Sequence, residues 1–394
     1  MELTANIRKE TADVVIIGGG VIGLSIAREL ARRSVHDVVL IERSQLGGEA
    51  SSAAAGILAP QVEADHADEF FRFACDSRDM YPEFAAILRE ETGIDVELDT
   101  TGTLYVGFTA HHQEELHRRH QWQTSQGLSV ERLSGDEARQ LEPKISDRVS
   151  CALRFPNDIQ VENRRLVAAL TRANEKLGVR LLSGCHVSSL VIEREAICAV
   201  NTSKGSISTR VVVIAAGAWS SSISCIPRSI SIEPVRGQML CFKPSPQIAQ
   251  HVIYSSRGYL VLRRDGRLLA GSTSEHAGFE KRMTGEGMKA IKTMFAEIVP
   301  TLRELHFVDS WAGFRPRAED GLPVLGPSED VRGLFFATGH YRNGILLAPI
   351  TGKLIADAVV DSAKSPFLSA FSPARFCSVA NAAEASFDTF FALP

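Results

Sequence analysis

The sequence has 394 residues, with 43 Lys and Arg against 47 Asp and Glu and a formal net charge of −4. Apolar residues make up 44% and charged residues 23%, which is the make-up of an ordinary soluble globular protein and excludes a disordered or fibrous chain. The lack of a basic excess argues against a nucleic-acid phosphate backbone as the main partner.

The first predicted elements form a compact β-α-β unit. Residues 12–17 are apolar except for Asp13, a pattern typical of a buried parallel strand, and a glycine turn follows them. An apolar stripe then continues to Arg32 and predicts a helix, and residues 38–41 predict a second strand. The apolar run at 14–26 is too short and too rich in glycine for a membrane span, so we expect no span and no export signal.

The rest of the chain mixes doubly wound and antiparallel patterns. Short strands with turn signals at 257–258 and 265–266 predict an antiparallel sheet between residues 232 and 311. The other predicted strands are 103–108, 179–182, 186–192, 196–200, 211–215 and 334–337. The other predicted helices are 111–127, 136–141, 163–177 and 344–359.

These patterns predict two domains that alternate along the chain. The expected class is α/β, or α+β overall, with a discontinuous Rossmann-like domain and an antiparallel-sheet substrate domain. The nucleotide-binding domain is predicted to comprise residues 1–88, 151–225 and 312–394. The substrate-binding domain is predicted to comprise residues 89–150 and 226–311.

The glycine turn after the first strand fits G-x-G-x-x-G over residues 18–23. Gly18 permits the tight turn, Gly20 lets a pyrophosphate approach the backbone, and Gly23 lets the helix pack on the strand. Glu42 stands 24 positions after Gly18, at the end of the second strand, where an acid binds ribose hydroxyls and repels a 2′-phosphate. The combination of strand, helix and acid favours a dinucleotide site over a glycine turn without a ligand.

Two further small-residue turns indicate which dinucleotide is bound. Ala216 and Gly217 follow a buried strand, and a third turn at residues 339–344 precedes a predicted helix. Several backbone approaches to one long ligand suit FAD, which is held along its length. We also expect the helix N-terminus at Gly344 to offer N–H groups to charge that develops on the flavin ring.

Five blocks of the sequence resemble the glycine oxidases of thiamine biosynthesis, in the D-amino-acid oxidase/sarcosine oxidase superfamily of FAD enzymes. The blocks are residues 13–42, 49–60, 234–238, 271–278 and 339–349. The resemblance extends from about residue 12 to residue 376. The last block, GHYRNGILLAP, is the most specific of the five, whereas the glycine motif is shared by many flavoproteins.

The resemblance implies a reaction and residues that perform it. The Cα hydrogen of an amino acid passes as hydride to flavin N5, oxygen takes up the electrons as hydrogen peroxide, and the imine product hydrolyses or supplies thiazole synthesis. By motif position Arg315 matches the arginine that pairs with the substrate carboxylate, Tyr259 an active-site tyrosine, and Arg342 an arginine near substrate and flavin. Val187 matches a position on the adenine side of the cofactor.

The motifs and the resemblance together predict the cofactor contacts. The expected residues are Gly18, Gly20, Val21, Ile22, Gly23, Glu42, Arg43, Ser51, Ser52, Ala55, Gly56, Val187, Ala216, Gly217, Trp219, Arg342, Asn343, Gly344 and Ile345. Relatives with covalent flavin use a cysteine near the segment of Arg315, but no cysteine lies between Cys241 and Cys377, so non-covalent FAD is expected. Ser274 and Arg257 depart from residues of some relatives, which leaves the size of the substrate open.

The sequence gives little support to disulfide, metal or hydrolase chemistry. The seven cysteines form no C-x-x-C pair, which predicts a reducing compartment such as the cytoplasm rather than a disulfide framework. His111, His112, His117 and His120 do not align as metal ligands and predict a solvated helix face, so no metal is expected. The serine clusters lack a G-x-S-x-G elbow, which argues against a hydrolase.

Three hypotheses about function remain open at this point. The first is an FAD oxidase that acts on glycine, sarcosine or small D-amino acids with O2. The second is a D-amino-acid or imino-acid dehydrogenase that passes electrons to a quinone or a partner subunit, and the third is a flavin-binding module without turnover. The expected partners are a small amino acid and O2, with no nucleic acid and no membrane span, and a homo-oligomer is left open.

Overall fold

The computed structural model of the protein describes residues 10–226, 230–243, 249–300 and 306–376. The first strands are β1 (Glu10–Thr11), β2 (Val14–Ile17), β3 (Val38–Ile41), β4 (Ile57–Leu58), β5 (Thr103–Gly107), β6 (Glu131–Ser134), β7 (Cys151–Phe155), β8 (Ile159–Gln160), β9 (Arg180–Leu182) and β10 (Val187–Glu193). The later strands are β11 (Ala196–Thr202), β12 (Gly205–Ser208), β13 (Val212–Ile214), β14 (Ile232–Lys243), β15 (Val252–Ser255), β16 (Gly258–Leu262), β17 (Leu268–Gly271), β18 (His306–Ala318), β19 (Val324–Pro327) and β20 (Leu334–Thr338). The helices are α1 (Val21–Arg32), α2 (Ala50–Ala53), α3 (Pro60–Glu63), α4 (Glu69–Thr92), α5 (Ala110–Ser125), α6 (Gly135–Leu141), α7 (Asn163–Lys176), α8 (Gly285–Ile298), α9 (Ala348–Asp361) and α10 (Pro366–Ala370).

A six-stranded sheet in the order β19-β20-β13-β2-β3-β9 forms the centre of the nucleotide-binding part. Its pairs are parallel except for β19 with β20. The strands β2 and β3 are buried at every residue, which explains their continuous apolar runs. The predicted β-α-β unit is confirmed, with α1 between β2 and β3.

The two faces of this sheet are covered by different layers. Val14 and Ile16 share one core with the helices α1, α4, α7 and α9. Val15 and Ile17 share another core with the four-stranded sheet β1-β12-β11-β10. Successive strand residues point to opposite faces, so one apolar run serves both cores. The carboxyl ends of β2, β3 and β13 therefore meet at a single edge, where the glycine turn lies.

An eight-stranded sheet in the order β18-β14-β17-β16-β15-β5-β7-β6 forms the second part. One face packs on α8 and α6 around residues such as Leu240 and Phe242. The opposite face carries Met239 and Tyr259, and it packs against α5 and the segment from Ala55 to Val62. This second face is turned towards the predicted nucleotide-binding part, at the end of the site where the substrate is predicted to bind.

The long strands β14 and β18 pair antiparallel along 12 registered positions, with Gly237 opposite Gly313 and Val235 opposite Arg315. The prediction of short strands throughout 232–311 is therefore wrong for these two strands, which have 12 and 13 residues. The sheet is also not wholly antiparallel, because β15 runs parallel to β5. This pairing joins distant segments and follows from the chain path rather than from a local pattern.

Two of the observed strands do not agree with the predicted domain boundaries. Strand β7 begins at Cys151, where the nucleotide-binding domain was expected to resume, but it pairs with β5 and β6 in the eight-stranded sheet. Strand β18 crosses the predicted boundary at residues 311–312 without a break. The division into two domains stays a prediction, and residues 1–9 and 377–394 within it lie outside the described residues.

Candidate active site

The glycine turn brings three segments of backbone into close contact. Gly18 has a φ of +114°, and a Cβ there would lie 2.2 Å from the carbonyl oxygen of Ala215. A Cβ on Gly23 would lie 2.0 Å from the carbonyl oxygen of Gly18. Glycine is therefore required at both positions, because a side chain at Gly18 would push the turn away from the end of β13, and one at Gly23 would push helix α1 away from the turn.

The N-terminus of α1 opens towards the cavity beyond this turn. Gly20 is the N-cap residue and makes no side-chain capping hydrogen bond. The backbone N–H of Val21 donates to Ser51 Oγ over 2.9 Å. A Cβ on Gly20 would meet only that hydroxyl, at 3.3 Å, so the backbone here is open to a ligand. A helix N-terminus with accessible N–H groups is suited to a phosphate group.

Glu42 is held at the neighbouring edge of the sheet by backbone donors. Its Oε2 accepts from the N–H of Gly19 over 2.8 Å, and its Oε1 accepts from the N–H of Ser44 over 2.9 Å. The residue is 9% exposed and lines the cavity. A carboxylate oxygen accepts more than one hydrogen bond, so this fixed orientation leaves acceptor capacity for ribose hydroxyls.

A single cavity joins the glycine turn to the eight-stranded sheet. Its lining includes most of the predicted site residues: Gly18, Gly20, Val21, Ile22, Glu42, Arg43, Ser51, Ala55, Val187, Ala216, Gly217, Trp219, Tyr259, Arg315, Arg342, Gly344 and Ile345. The structure thus brings together residues from all three segments of the predicted nucleotide-binding domain and from both long strands.

Four predicted cofactor contacts lie outside the lining. Gly23 packs beneath the turn against Gly18. The carbonyl of Ser52 accepts from Asn163 Nδ2 over 3.2 Å, and a Cβ on Gly56 would lie 2.0 Å from the carbonyl oxygen of Val161. The backbone of Asn343 forms the turn after β20, where its N–H donates to the carbonyl of His340. Their positions fit roles in shaping the surrounding backbone.

Arg315 lies at the substrate end of the cavity, on strand β18. Its Nη1 donates to the carbonyl of Thr273 over 3.0 Å, and its Nη2 donates to Ser272 Oγ over 2.5 Å. A Cβ on Gly237, from the paired strand β14, would lie 2.4 Å from Nη1. Gly237 therefore leaves the space that the guanidinium occupies.

The hydroxyl of Tyr259 shares a partner with Arg315. It donates to Ser272 Oγ over 3.3 Å and lies 3.6 Å from the sulfur of Met239. Tyr259 is 8% exposed and lines the same cavity. A guanidinium and a phenol hydroxyl that converge on one point, beside an apolar thioether, form a site suited to a small carboxylate.

Arg342 also lines the cavity but is already paired with a carboxylate. Its Nη2 lies 2.8 Å from Glu63 Oε1, and the hydroxyl of Tyr254 donates to the same oxygen over 3.2 Å. The negative charge of Glu63 raises the pKa of Arg342, and burial raises the pKa of Tyr254 well above its usual value. Both groups therefore stay protonated donors to Glu63 at neutral pH.

The turn at residues 339–344 reaches the cavity, but the predicted helix start at Gly344 is wrong. Residues 344–347 form turns, and α9 begins at Ala348 with Leu347 as its N-cap. Pro349 at the first turn suits this later start because proline lacks an N–H and has a helical φ. Gly344 lines the cavity as part of a turn, so the N-terminal charge of α9 lies further along the chain.

His340 in this turn is buried and neutral. Its Nε2 is 3.1 Å from Thr351 Oγ1, the residue is 3% exposed, and burial lowers its pKa to about 3. Between pH 6.5 and 3 the unfolded chain therefore binds a proton at this site that the folded protein does not. The free energy of unfolding must fall as the pH decreases through this range, by up to about 1.4 kcal/mol per pH unit.

We expect H340Q to remove this part of the acid sensitivity. Between pH 7.0 and 5.5 the free energy of unfolding of the wild type should decrease by about 1 kcal/mol more than that of the variant. The reason is that only the wild type has an imidazole at this position, which binds a proton in the unfolded chain and must lose it on folding. Urea denaturation in excess FAD at the two pH values measures the difference. H111Q, on the exposed surface of α5, is the control and should keep the wild-type pH dependence. Equal losses in H340Q and the wild type would contradict this prediction.

An aromatic cluster stands at the rim of the cavity around Trp219. The guanidinium of Arg43 lies 3.5 Å from the centroid of the Trp219 ring, and the rings of Phe279 and Trp219 stack at 5.2 Å. Arg43 also pairs with Glu49, which pairs with Lys281 over 2.6 Å. Trp219 was expected to contact the cofactor, and it reaches the cavity with its ring held by these neighbours on both sides.

Several residues of the site were not predicted. Met239, Ser272 and His340 line or border the substrate end, and Glu63 holds Arg342. Ser272 and His340 lie inside the blocks that resemble the glycine oxidases, so a closer reading of those blocks could have found them. Met239 and Glu63 follow such blocks in the sequence, and no local pattern marks either as part of a site.

Other expectations concern metals, cysteines and membranes. In the described ranges, no group of three or more His, Cys, Asp or Glu is arranged to hold a metal ion. The six cysteines that the structure describes are free, and one of them, Cys185, lines the cavity beside Val187. Among the residues described, no helix has the length and apolar character needed to cross a membrane. Cys377 lies outside the described residues.

The residues present fit a bound FAD. The glycine turn leaves no room for a Cβ at Gly18 and keeps the first turn of α1 open, as a pyrophosphate requires. Glu42 is fixed where the first ribose would lie, and the cavity continues from there to Tyr259 and Arg315. A long, continuous cavity with an acid at one end and an arginine at the other matches an extended dinucleotide that ends beside a substrate.

Comparisons with known proteins identify relatives of this chain. The model of the DAO family, described as FAD dependent oxidoreductase, matches residues 13–358. A glycine oxidase of Geobacillus kaustophilus is 37% identical over 350 residues, which cover 88% of this chain and 92% of that protein. A crystal structure of glycine oxidase from Geobacillus kaustophilus has a TM-score of 0.89 and 35% identity, and the match covers 94% of this chain and all (100%) of that one. The bifunctional protein ThiO/ThiG of Synechocystis is 35% identical over 378 residues, or 94% of this chain and 55% of that protein.

Proposed function

Because the chain belongs to the DAO family of FAD-dependent oxidoreductases, we propose that it catalyses the oxidative deamination of glycine, sarcosine or small D-amino acids with O2 as the electron acceptor. The observation that carries the proposal is the position of Arg315. It lies with Tyr259 at one end of the cavity that begins at the glycine turn. Its hydrogen bonds go to a carbonyl and a hydroxyl, so its positive charge is available to a carboxylate.

The residues that would hold FAD follow from the geometry of the cavity. The backbone around Gly18 and Gly20 and the N-terminus of α1 would bind the pyrophosphate, and Glu42 would accept from the ribose hydroxyls. Val187 would lie on the adenine side, and Arg342, Gly344 and Ile345 would lie towards the flavin; all four residues line the cavity. When bound, FAD supplies the hydride acceptor, flavin N5, and passes the electrons to O2 to give hydrogen peroxide.

The protein's part in the reaction is to orient the amino acid. The fork of Arg315 would bind the carboxylate through two parallel hydrogen bonds, and the hydroxyl of Tyr259 would turn its single proton from Ser272 to the substrate and donate a further one, so that the rotation of the substrate is fixed. Met239 keeps the space beside Tyr259 apolar. If the amine binds in its neutral form, loss of the Cα hydrogen as hydride requires no catalytic base, so a site without a titrating His suits this reaction.

The products follow from the loss of two electrons and two hydrogens. The amino acid becomes an imine, which hydrolyses to a 2-oxo acid and ammonia or an amine, while O2 becomes hydrogen peroxide. The likeness to a bifunctional ThiO/ThiG protein supports the proposal that the imine supplies thiazole formation in thiamine biosynthesis. The free cysteines that the structure describes support a reducing compartment such as the cytoplasm.

The proposal predicts a yellow protein whose flavin is bleached by glycine. The purified holoprotein should be mixed without oxygen with glycine, sarcosine and small D-amino acids, and flavin absorbance should be followed. The same mixtures in air should consume oxygen and release hydrogen peroxide. No bleaching by any amino acid of the panel would overturn the proposal. Bleaching with electron transfer only to an artificial dye would instead support the dehydrogenase hypothesis.

A further inference from the structure

Two arginines line the substrate end of the cavity, and their surroundings differ in charge. Arg315 donates to the neutral oxygens of Ser272 and Thr273, and within the described residues no carboxylate forms an ion pair with it. Arg342 forms an ion pair with Glu63. Of these two arginines, then, only one offers an uncompensated positive charge to a substrate.

The pair between Glu63 and Arg342 is held by a second donor. The hydroxyl of Tyr254 donates to the same oxygen, Oε1, that Arg342 Nη2 contacts at 2.8 Å. The side chain of Glu63 is 28% exposed and that of Arg342 41% exposed, so part of the guanidinium still reaches the cavity. A carboxylate that arrived at Arg342 would meet a guanidinium whose charge is already balanced, and it would lie close to a second negative charge.

The helix that carries Glu63 is held by contacts that do not involve Arg342. Glu63 ends the short helix α3, whose N–H groups at Gln61 and Val62 donate to the buried carboxylate of Asp158 over 3.2 and 2.8 Å. Arg78 also donates to Gln61 Oε1 over 3.0 Å. Because this buried network holds the backbone, loss of the charge on Glu63 should leave α3 in place and expose the charge of Arg342.

We propose that Glu63 is a specificity-determining residue that restricts the substrate to amino acids with one carboxylate, by neutralising Arg342. The inference rests on the proposed function and deepens it. A substrate with one carboxylate uses Arg315 alone. A substrate with a second carboxylate gains nothing at Arg342 and is repelled by Glu63, which lowers its relative affinity.

Binding of unreactive acids tests the proposal without turnover. Acetate has one carboxylate and malonate has two, and both can be titrated into the oxidised holoprotein while flavin absorbance is followed. In E63Q the ratio of malonate affinity to acetate affinity should rise at least about tenfold, because a second charge-assisted hydrogen bond becomes available at Arg342. The double variant E63Q/R342Q should return this ratio to the wild-type value.

Turnover gives a second, matched pair of ligands. Sarcosine carries a methyl group on its nitrogen, and iminodiacetate carries a carboxymethyl group at the same place. The ratio of kcat/KM for iminodiacetate to that for sarcosine should rise at least about tenfold in E63Q. Y254F is the control, because it removes a hydrogen bond to Glu63 but keeps the charge, and its ratio should equal that of the wild type.

The outcomes separate this inference from the proposed function. If the wild type oxidises glycine and E63Q leaves both ratios unchanged, the inference is wrong and the proposed function stands. If none of the amino acids bleaches the flavin of the wild type, the proposed function itself is wrong. If E63Q does not bind FAD, E63D is tested instead. Its shorter side chain weakens the ion pair with Arg342 and should raise the ratio of malonate affinity to acetate affinity about threefold. An unchanged ratio in E63D would overturn the inference.

Discussion

R315A is expected to lower kcat/KM for glycine by about 10²- to 10³-fold while the protein still binds FAD. The guanidinium is the uncompensated cation that faces the substrate end of the cavity, and its loss removes a charge-assisted, two-point contact with the carboxylate. Truncating one partner of such a pair costs about 3–4 kcal/mol, and each 1.36 kcal/mol corresponds to tenfold in rate. The glycine turn and Glu42 follow β2 and β3 of the six-stranded sheet, whereas Arg315 lies on β18 of the other sheet, so the dinucleotide contacts should be unaffected.

Stopped-flow reduction of the flavin by glycine without oxygen measures this effect directly. R315K should retain part of the rate, because lysine keeps the charge but loses the planar fork. R317A is the control, since Arg317 follows two residues later on β18 and is absent from the cavity lining. Equal rates of flavin reduction in R315A and the wild type would refute the assignment of Arg315 to the substrate carboxylate.

G18A is expected to abolish FAD binding and to lower the free energy of unfolding by about 2–6 kcal/mol. The added Cβ would lie 2.2 Å from the carbonyl oxygen of Ala215, and the backbone there has a φ of +114°, which alanine rarely adopts. The clash and the strain add, and each costs about 1–3 kcal/mol. Relief would require β2 and β13 to move apart, and this would also displace the N-terminus of α1 from the cavity.

The matched control for G18A is G285A. Gly285 is the first residue of α8, and a Cβ there meets no heavy atom within 4 Å. G285A should keep its flavin and be as stable as the wild type or slightly more so, because alanine favours a helix. The flavin-to-protein absorbance ratio after gel filtration and urea denaturation measure both properties. A G18A protein that keeps its FAD and its urea midpoint would contradict the role given to this turn.

The local parts of the fold could be predicted because their causes are local. A strand that is buried on both faces must be apolar at every position, so residues 14–17 and 38–41 are recognisable from the sequence. The glycines at 18, 20 and 23 have a spacing that only a tight strand-to-helix turn explains. The fold class, the FAD requirement and the family follow from these features and from the motif blocks, and the comparisons confirm them.

Other features depend on contacts between distant segments. Strand β5 pairs in parallel with β15, about 150 residues later, and the pattern of apolar residues is the same whichever neighbour a strand has. The start of α9 also differs from the prediction, because the backbone at 344–347 turns towards the cavity before the helix can begin. Apolar periodicity alone does not distinguish these turns from a first helical turn.

The sequence by itself determined that this protein is a dinucleotide-binding α/β protein, and its resemblance to a known family predicted an arginine and a tyrosine that bind the amino acid. Only the tertiary structure decided the charge of the substrate end. Arg315 and Arg342 look alike in the sequence, but Glu63 stands 279 positions from Arg342 and neutralises it, whereas the hydrogen bonds of Arg315 within the described residues go to neutral oxygens. The interaction of two charges depends on the distance between them in space. In a chain of 394 residues, that distance is set only when distant segments pack together in the folded structure.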